Sequence, residues 1–170
     1  MDRVELASFM AGLRETVRTA APEQCLEPMN GIVAQVRGFQ SIARFGDVET
    51  VIDEPTVFGG TGTAPNPAEV ALAGLGASIQ VTMLCYAAHL DIDATDIVVK
   101  LAGALDARGF FDLSPDVPVG FYEVTADVTY KGSASEQQVA ELLDYVNRCC
   151  PVLAVFRQPM RVQLSMRQVP

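Results

Sequence analysis

Residues 66–90 read NPAEVALAGLGASIQVTMLCYAAHL, and the reading of that stretch decides the fold. Asn66 is a good N-cap, Pro67 suits the first helical position because its missing N–H would be unsatisfied there anyway, and Glu69 follows three residues after the cap. Together they predict a helix that starts here. From Ala71 to Ala88 no residue is charged, so most faces of such a helix must be covered. Its first half is thin, built from Ala71, Ala73, Gly74, Gly76, Ala77 and Ser78, and each glycine costs about 1 kcal/mol relative to alanine in a helix interior. Close approach by a neighbouring element would compensate. A bilayer span takes about 20 apolar residues, but here Gln80, Thr82 and His89 interrupt the run and its surroundings are those of a globular chain. The stretch is the buried spine of a folded domain.

Immediately upstream, DEPTVFGGTGTAPNP lacks the Lys-Ser/Thr that a phosphate-binding loop requires, so Gly59, Gly60 and Gly62 are read as tight turns over the helix start. Before it, Val33, Val36, Phe39, Ile42, Phe45, Val48 and Val51 are broken by Gly38 and the FGD turn at Gly46 and Asp47, which predicts two or three antiparallel strands between Ile32 and Asp53. Met1 to Ala21 carries Val4, Leu6, Ala7, Met10, Leu13 and Val17 at helical spacing. Pro22 ends that helix, and APEQCLEPMNG reads as a linker. Residues 1–30 thus form an N-terminal helical extension, and residues 31–170 the main domain.

Downstream, Asp96–Leu105 and Phe121–Lys131 read as a pair of antiparallel strands around a loop from Arg108 to Val119. Ser135 and Gln138 make a second capping box, and Val139, Leu142, Leu143 and Val146 give the second long helix a one-sided apolar stripe. After Pro151 a short turn of helix runs through Phe156, and alternating Val162, Leu164 and Met166 predict a last strand over Arg161–Met166. The order defines an α+β domain, two long central helices packed with antiparallel sheets.

A chain of 170 residues makes one domain the default. With 49% hydrophobic and 19% charged residues, the surface must be unusually apolar or covered by another subunit, and the second is the expectation. The formal charge of -9, without a basic stripe, disfavours nucleic acid and anionic membrane as partners. MDRVELASFM has no basic start followed by an apolar run, so no secretory signal and a cytoplasmic location are expected. In that compartment Cys25, Cys85, Cys149 and Cys150 read as thiols, ligands or redox groups rather than structural disulfides. One histidine and no CxxC spacing argue against a metal site, and no cofactor motif is present.

Among the thiols, Cys150 before Pro151 is the most informative. It is either a thiol at the cap of the following helix, where free N–H groups favour the thiolate, or a small buried hydrophobe beside Cys149. Cys85 lies seven residues after Ser78 and so on nearly the same helix face, a core position by composition. Ser78 reads as a small polar residue bonding back to a helix carbonyl, and His89 as a partner of the terminal carbonyls.

The block GGTGTAPNPAEVALAGLGAS, the long helix behind it, the second helix ending in RCCPV and the closing strand resemble the OsmC/Ohr family of thiol-dependent organic hydroperoxide reductases. The resemblance covers Gly31 to Met166. It implies an intertwined homodimer with sites at the subunit interface, no cofactor, a small hydrophobic hydroperoxide as substrate and an external thiol as reductant. It also implies two cysteines, the first attacking the peroxide and the second, before a proline, resolving the sulfenic acid into a disulfide. Cys150 matches the second. The first lies eleven residues after the helix-starting proline, and here that position is Ser78. Of the groups that polarise the family's thiolate, Arg37 stands about where the arginine is expected. Glu69 is one residue later than the Ohr carboxylate, where this chain has Ala68, and is either that carboxylate or a capping partner only. The chain then reads as a diverged member, with altered redox chemistry through Cys150, alone or joined by Cys149 or Cys85, or as a dimer of the same fold holding a small hydrophobic ligand.

Overall fold

The computed structural model describes residues 2–169, so Met1, placed in the first helix by the sequence, and Pro170 lie outside the described residues. In chain order the elements are α1 (Arg3–Thr19), β1 (Ile32–Arg37), β2 (Gln40–Phe45), β3 (Val48–Ile52), α2 (Pro67–His89) and β4 (Thr95–Gly103). They continue with α3 (Ala107–Phe110), β5 (Val124–Lys131), α4 (Glu136–Cys149) and α5 (Pro151–Arg157). One antiparallel sheet has the order β1-β2-β3 and the other pairs β4 with β5. This is the α+β arrangement expected from the sequence.

α2 starts as its sequence dictates. The Asn66 side chain accepts from the Glu69 N–H at 2.9 Å while the Glu69 carboxylate accepts from the Asn66 N–H at 2.8 Å. By length and composition α2 could cross a membrane, but it packs against β4, α4 and α5 as a core helix. Leu75, Ile79 and Met83, four residues apart on one face, meet Ile97 of β4, Val146 of α4 and Cys150 in the main core cluster. A second cluster joins Ala87, Ile92, Ala94 and Leu142. Gly76 is where a neighbour comes close, since a Cβ there would sit 2.7 Å from Leu101 Cδ1 of β4.

The opposite side of α2 differs from the expectation of near-complete burial. Ala73, Gly74, Ala77, Gln80 and Val81 are exposed, because α1, β4, α4 and α5 cover the other faces and the β1–β3 sheet does not lie over this one. That sheet is itself bare: Val33, Phe45 and Val48 are all more than half exposed, and Ala43 is its one buried residue. The β2–β3 hairpin turns at Gly46 and Asp47 as predicted, with Gly46 at φ 58° in the first central position, where tight hairpins favour glycine.

The strand expected over Arg161–Met166 is not formed. Among the described residues beyond Arg157 none has regular structure, and Leu164 and Met166 are 95% and 99% exposed. A strand exists only by pairing, and neither sheet offers this segment a ladder within the single chain. Between β3 and α2 the loop is tied down by Asp53, which is buried. Its carboxylate accepts from the backbone N–H groups of Glu54, Thr61 and Thr63 and from the hydroxyls of Thr61 and Thr63. Gly60 is required in that loop, because a Cβ would lie 1.8 Å from the Glu54 carbonyl oxygen.

Candidate functional site

The fold brings Ser78 and Cys150 together. The serine oxygen on α2 and the cysteine sulfur at the α4–α5 junction are 3.2 Å apart, hydrogen-bonded, and Cys150 is only 3% exposed. Ser78 does not bond back to its own helix; Thr82 does, its hydroxyl donating to the Ser78 carbonyl at 2.7 Å. The Ser78 hydroxyl is thereby left for the sulfur. Cys150 both ends α4, its N–H donating to the Val146 carbonyl, and opens α5, its carbonyl accepting from the Ala154 N–H. Pro151 at the first position of α5 accounts for the break.

The other sequence-predicted residues lie elsewhere. Glu69 is exposed and its carboxylate is engaged in the capping box at the helix start. Arg37 is exposed at the end of β1, beside the β-bulge facing Gln40. Among the described residues neither hydrogen-bonds or ion-pairs with Ser78 or Cys150. All four cysteines are free. Cys85 is half-buried, and burial pushes its thiol above the usual range.

Cys149 is exposed, next in sequence to the buried Cys150. The sequence marks it as a secondary thiol beside Cys150 and carries no sign of its surroundings. Tyr86 of α2 stacks on Tyr145 of α4 with ring centroids 4.2 Å apart, and the Arg148 guanidinium lies 4.7 Å from the Tyr145 ring centre. Nearby Cys149, with burial, holds the Tyr86 phenol above its ordinary pKa, while Arg14 of α1 pulls it down. α1 itself packs along α2.

A cavity of about 380 Å³ opens against the same core. Its apolar wall includes Leu75, Ile79, Met83 and Phe156, with Asn147 and Arg157 at its polar end, where Arg157 Nη1 donates to Asn147 Oδ1 at 2.9 Å. Neither Ser78 nor Cys150 lines it, but Leu75, Ile79 and Met83 belong to the cluster into which Cys150 packs.

A buried thiol at the junction of two helices thus lies opposite a helix hydroxyl at hydrogen-bond distance, within an α+β fold. The family model described as OsmC-like protein matches residues 60–165, and the chain belongs to that family. No curated protein sequence matches the chain. Among solved structures it resembles an OsmC-like protein from Mycoplasma pneumoniae at 17% identity, TM-score 0.68, over 77% of this chain and 88% of that one. It also resembles an organic hydroperoxide resistance protein OsmC from Legionella pneumophila, at 20% identity and TM-score 0.57, over 78% of this chain and 91% of that one. A third is an organic hydroperoxide resistance protein from Elizabethkingia anophelis with thiocyanate bound, at 14% identity and TM-score 0.58, over 79% and 91%. Identities this low carry the shared fold, and mark the chain as a diverged member.

Proposed function

We propose that this chain is an OsmC/Ohr-type thiol protein of the cytoplasm whose redox chemistry runs through Cys150 alone at this pair, Ser78 having replaced the attacking thiol. The 3.2 Å Ser78–Cys150 contact carries the reading. A hydroxyl can donate to a thiolate and steady it, but it forms no disulfide, so a two-thiol cycle between these positions is closed. The remaining route uses one sulfur. The Cys150 thiolate attacks an organic hydroperoxide, giving a sulfenic acid and an alkoxide that takes up a proton to become the alcohol. One external thiol then condenses with the sulfenic acid, releasing water, and a second reduces the mixed disulfide.

The bare β1–β3 sheet, the exposed face of α2 and the unpaired apolar stripe after Arg157 support a homodimer, in which each gains a cover. The division into an extension, residues 1–30, and a main domain, residues 31–170, is kept on the same footing. Peroxide consumption with a thiol reductant should be measurable, slow, and lost in Cys150→Ser; equal rates for wild type and Cys150→Ser would remove the reading.

The 380 Å³ cavity favours a second reading, a dimer that holds a small hydrophobic ligand and does no peroxide chemistry. Native mass spectrometry after gentle purification should then show a bound apolar molecule, and its absence, together with failure to bind an apolar fluorescent probe, would count against it.

A further inference from the structure

The cavity of about 380 Å³ is built unevenly. Its floor is apolar and closed, since Leu75, Ile79 and Met83 of α2 and Val146 of α4 are all buried. Its mouth is polar and open, where Asn147, Arg157 and Glu123 are exposed. Arg157 ends α5 and Asn147 lies on α4, and the hydrogen bond from Arg157 Nη1 to Asn147 Oδ1 ties the two across the helix junction. That bond leaves the Nε–Nη2 edge of the guanidinium, the fork that grips a carboxylate through two parallel hydrogen bonds, without a protein partner among the described residues. Asn147, its oxygen taken by Arg157, has its amide N–H groups to offer as well. Elsewhere in the chain Arg3, Arg18, Arg44, Arg108, Lys131 and Arg148 each hold a carboxylate. Arg157 holds none among the described residues, although Glu123 borders the same cavity.

From this placement we infer that the cavity takes a single-chain carboxylate of medium length, its head on Arg157 and Asn147 and its chain over Leu75, Ile79 and Met83. The ligand occupies the cavity of the second reading above, on which the inference rests, and gives that reading a chemical class. Volume sets the length. At about 30 Å³ for each water-sized atom, a cavity of about 380 Å³ has room for roughly a dozen heavy atoms, the size of decanoate. One cation with one acid beside it suits a monoanion, because a phosphate dianion would meet Glu123 with twice the repulsion. Neither Ser78 nor Cys150 lines the cavity, so holding the ligand involves no thiol chemistry.

The test is titration calorimetry on the full chain with decanoate and with neutral decan-1-ol, each kept below its aggregation limit. Wild type should bind decanoate at a single site and about tenfold tighter than decan-1-ol, the charge-assisted hydrogen bonds being the difference. Butyrate keeps the head group and loses most of the chain, and should bind more than about a hundredfold weaker than decanoate. Arg157→Gln should weaken decanoate about tenfold and leave decan-1-ol within about twofold, while Glu123→Gln should tighten decanoate. Ala126→Leu, which fills the cavity from an exposed position on β5, should weaken both ligands. Equal affinities for decanoate and decan-1-ol, with no response to Arg157→Gln, overturn the carboxylate and leave the hydrophobic-ligand reading standing. Decanoate binding that Ala126→Leu does not change lies outside the cavity and also overturns the inference. No binding of either ligand removes both.

Discussion

The Ser78 hydroxyl oxygen lies 3.2 Å from the Cys150 sulfur, across a contact between residues that are 72 positions apart in the chain. The fold sets a helix hydroxyl directly against a buried thiol.

Thiol reactivity should divide the cysteines in two. Cys25 and Cys149 are exposed, Cys85 is half-buried with its thiol pushed up by burial, and Cys150 is buried. Titration of the folded protein with a chromogenic disulfide should show two fast equivalents and two that react only slowly or on unfolding. Cys149→Ser should remove one fast equivalent, and Cys150→Ser one slow equivalent.

Glu69 should behave as a cap. Glu69→Gln keeps a side-chain acceptor for the Asn66 N–H and should leave both stability and peroxide consumption near wild type. Asn66→Ala removes the reciprocal bond and should cost about 1 kcal/mol in chemical denaturation. A large loss of peroxide consumption in Glu69→Gln, with stability intact, would give the carboxylate a part in the chemistry.

Asp53 sets an acid limit on the loop that feeds α2. Hydrogen bonds from Thr61, and from the N–H groups of Thr63, Glu54 and Thr61, hold its pKa down to about 2, below the ordinary aspartate value of 3.8. A depressed carboxylate contributes stability that is fully present above the unfolded value and is lost as pH falls through the folded one. The expected loss therefore falls between about pH 4 and pH 2. Asp53→Asn leaves fewer acceptors for the same donors and should lower Tm by roughly 3–8 °C while flattening that acid limb. An unchanged acid transition would assign it to other carboxylates.

Truncation after Gln158 should bear on the oligomer. Val162, Leu164 and Met166 are 71%, 95% and 99% exposed in the single chain, a stripe that gains burial only against another surface. Light scattering should give twice the chain mass for the full protein and a shift toward the monomer for the truncated one. A monomeric full-length protein would remove the homodimer.

Much of this architecture is legible before any coordinates. Asn66, Pro67 and Glu69 mark the start of α2, Ser135 and Gln138 that of α4, and Gly46 the hairpin, because caps and turns act over a few residues. The last strand was legible as a pattern and absent as a structure, since Val162, Leu164 and Met166 alternate but ladder partners are a long-range property. Strand ends were less sharp: the second hairpin strand begins at Val124 rather than Phe121. At the site, the family resemblance points to Ser78 and Cys150, while their contact depends on packing of α2 against α5. The surroundings of Cys149 were invisible for the same reason, as Tyr86, Tyr145 and Arg14 come from three helices.

The central claim is that Ser78 occupies the place of an attacking thiol opposite Cys150, and Ser78→Cys tests it most directly. After one equivalent of cumene hydroperoxide, the account predicts a disulfide between residue 78 and Cys150, seen as a crosslinked peptide, and peroxide turnover with a dithiol reductant at least about tenfold above wild type, a barrier lower by roughly 1.4 kcal/mol. A folded Ser78→Cys protein that forms no such crosslink and turns over no faster than wild type would contradict it.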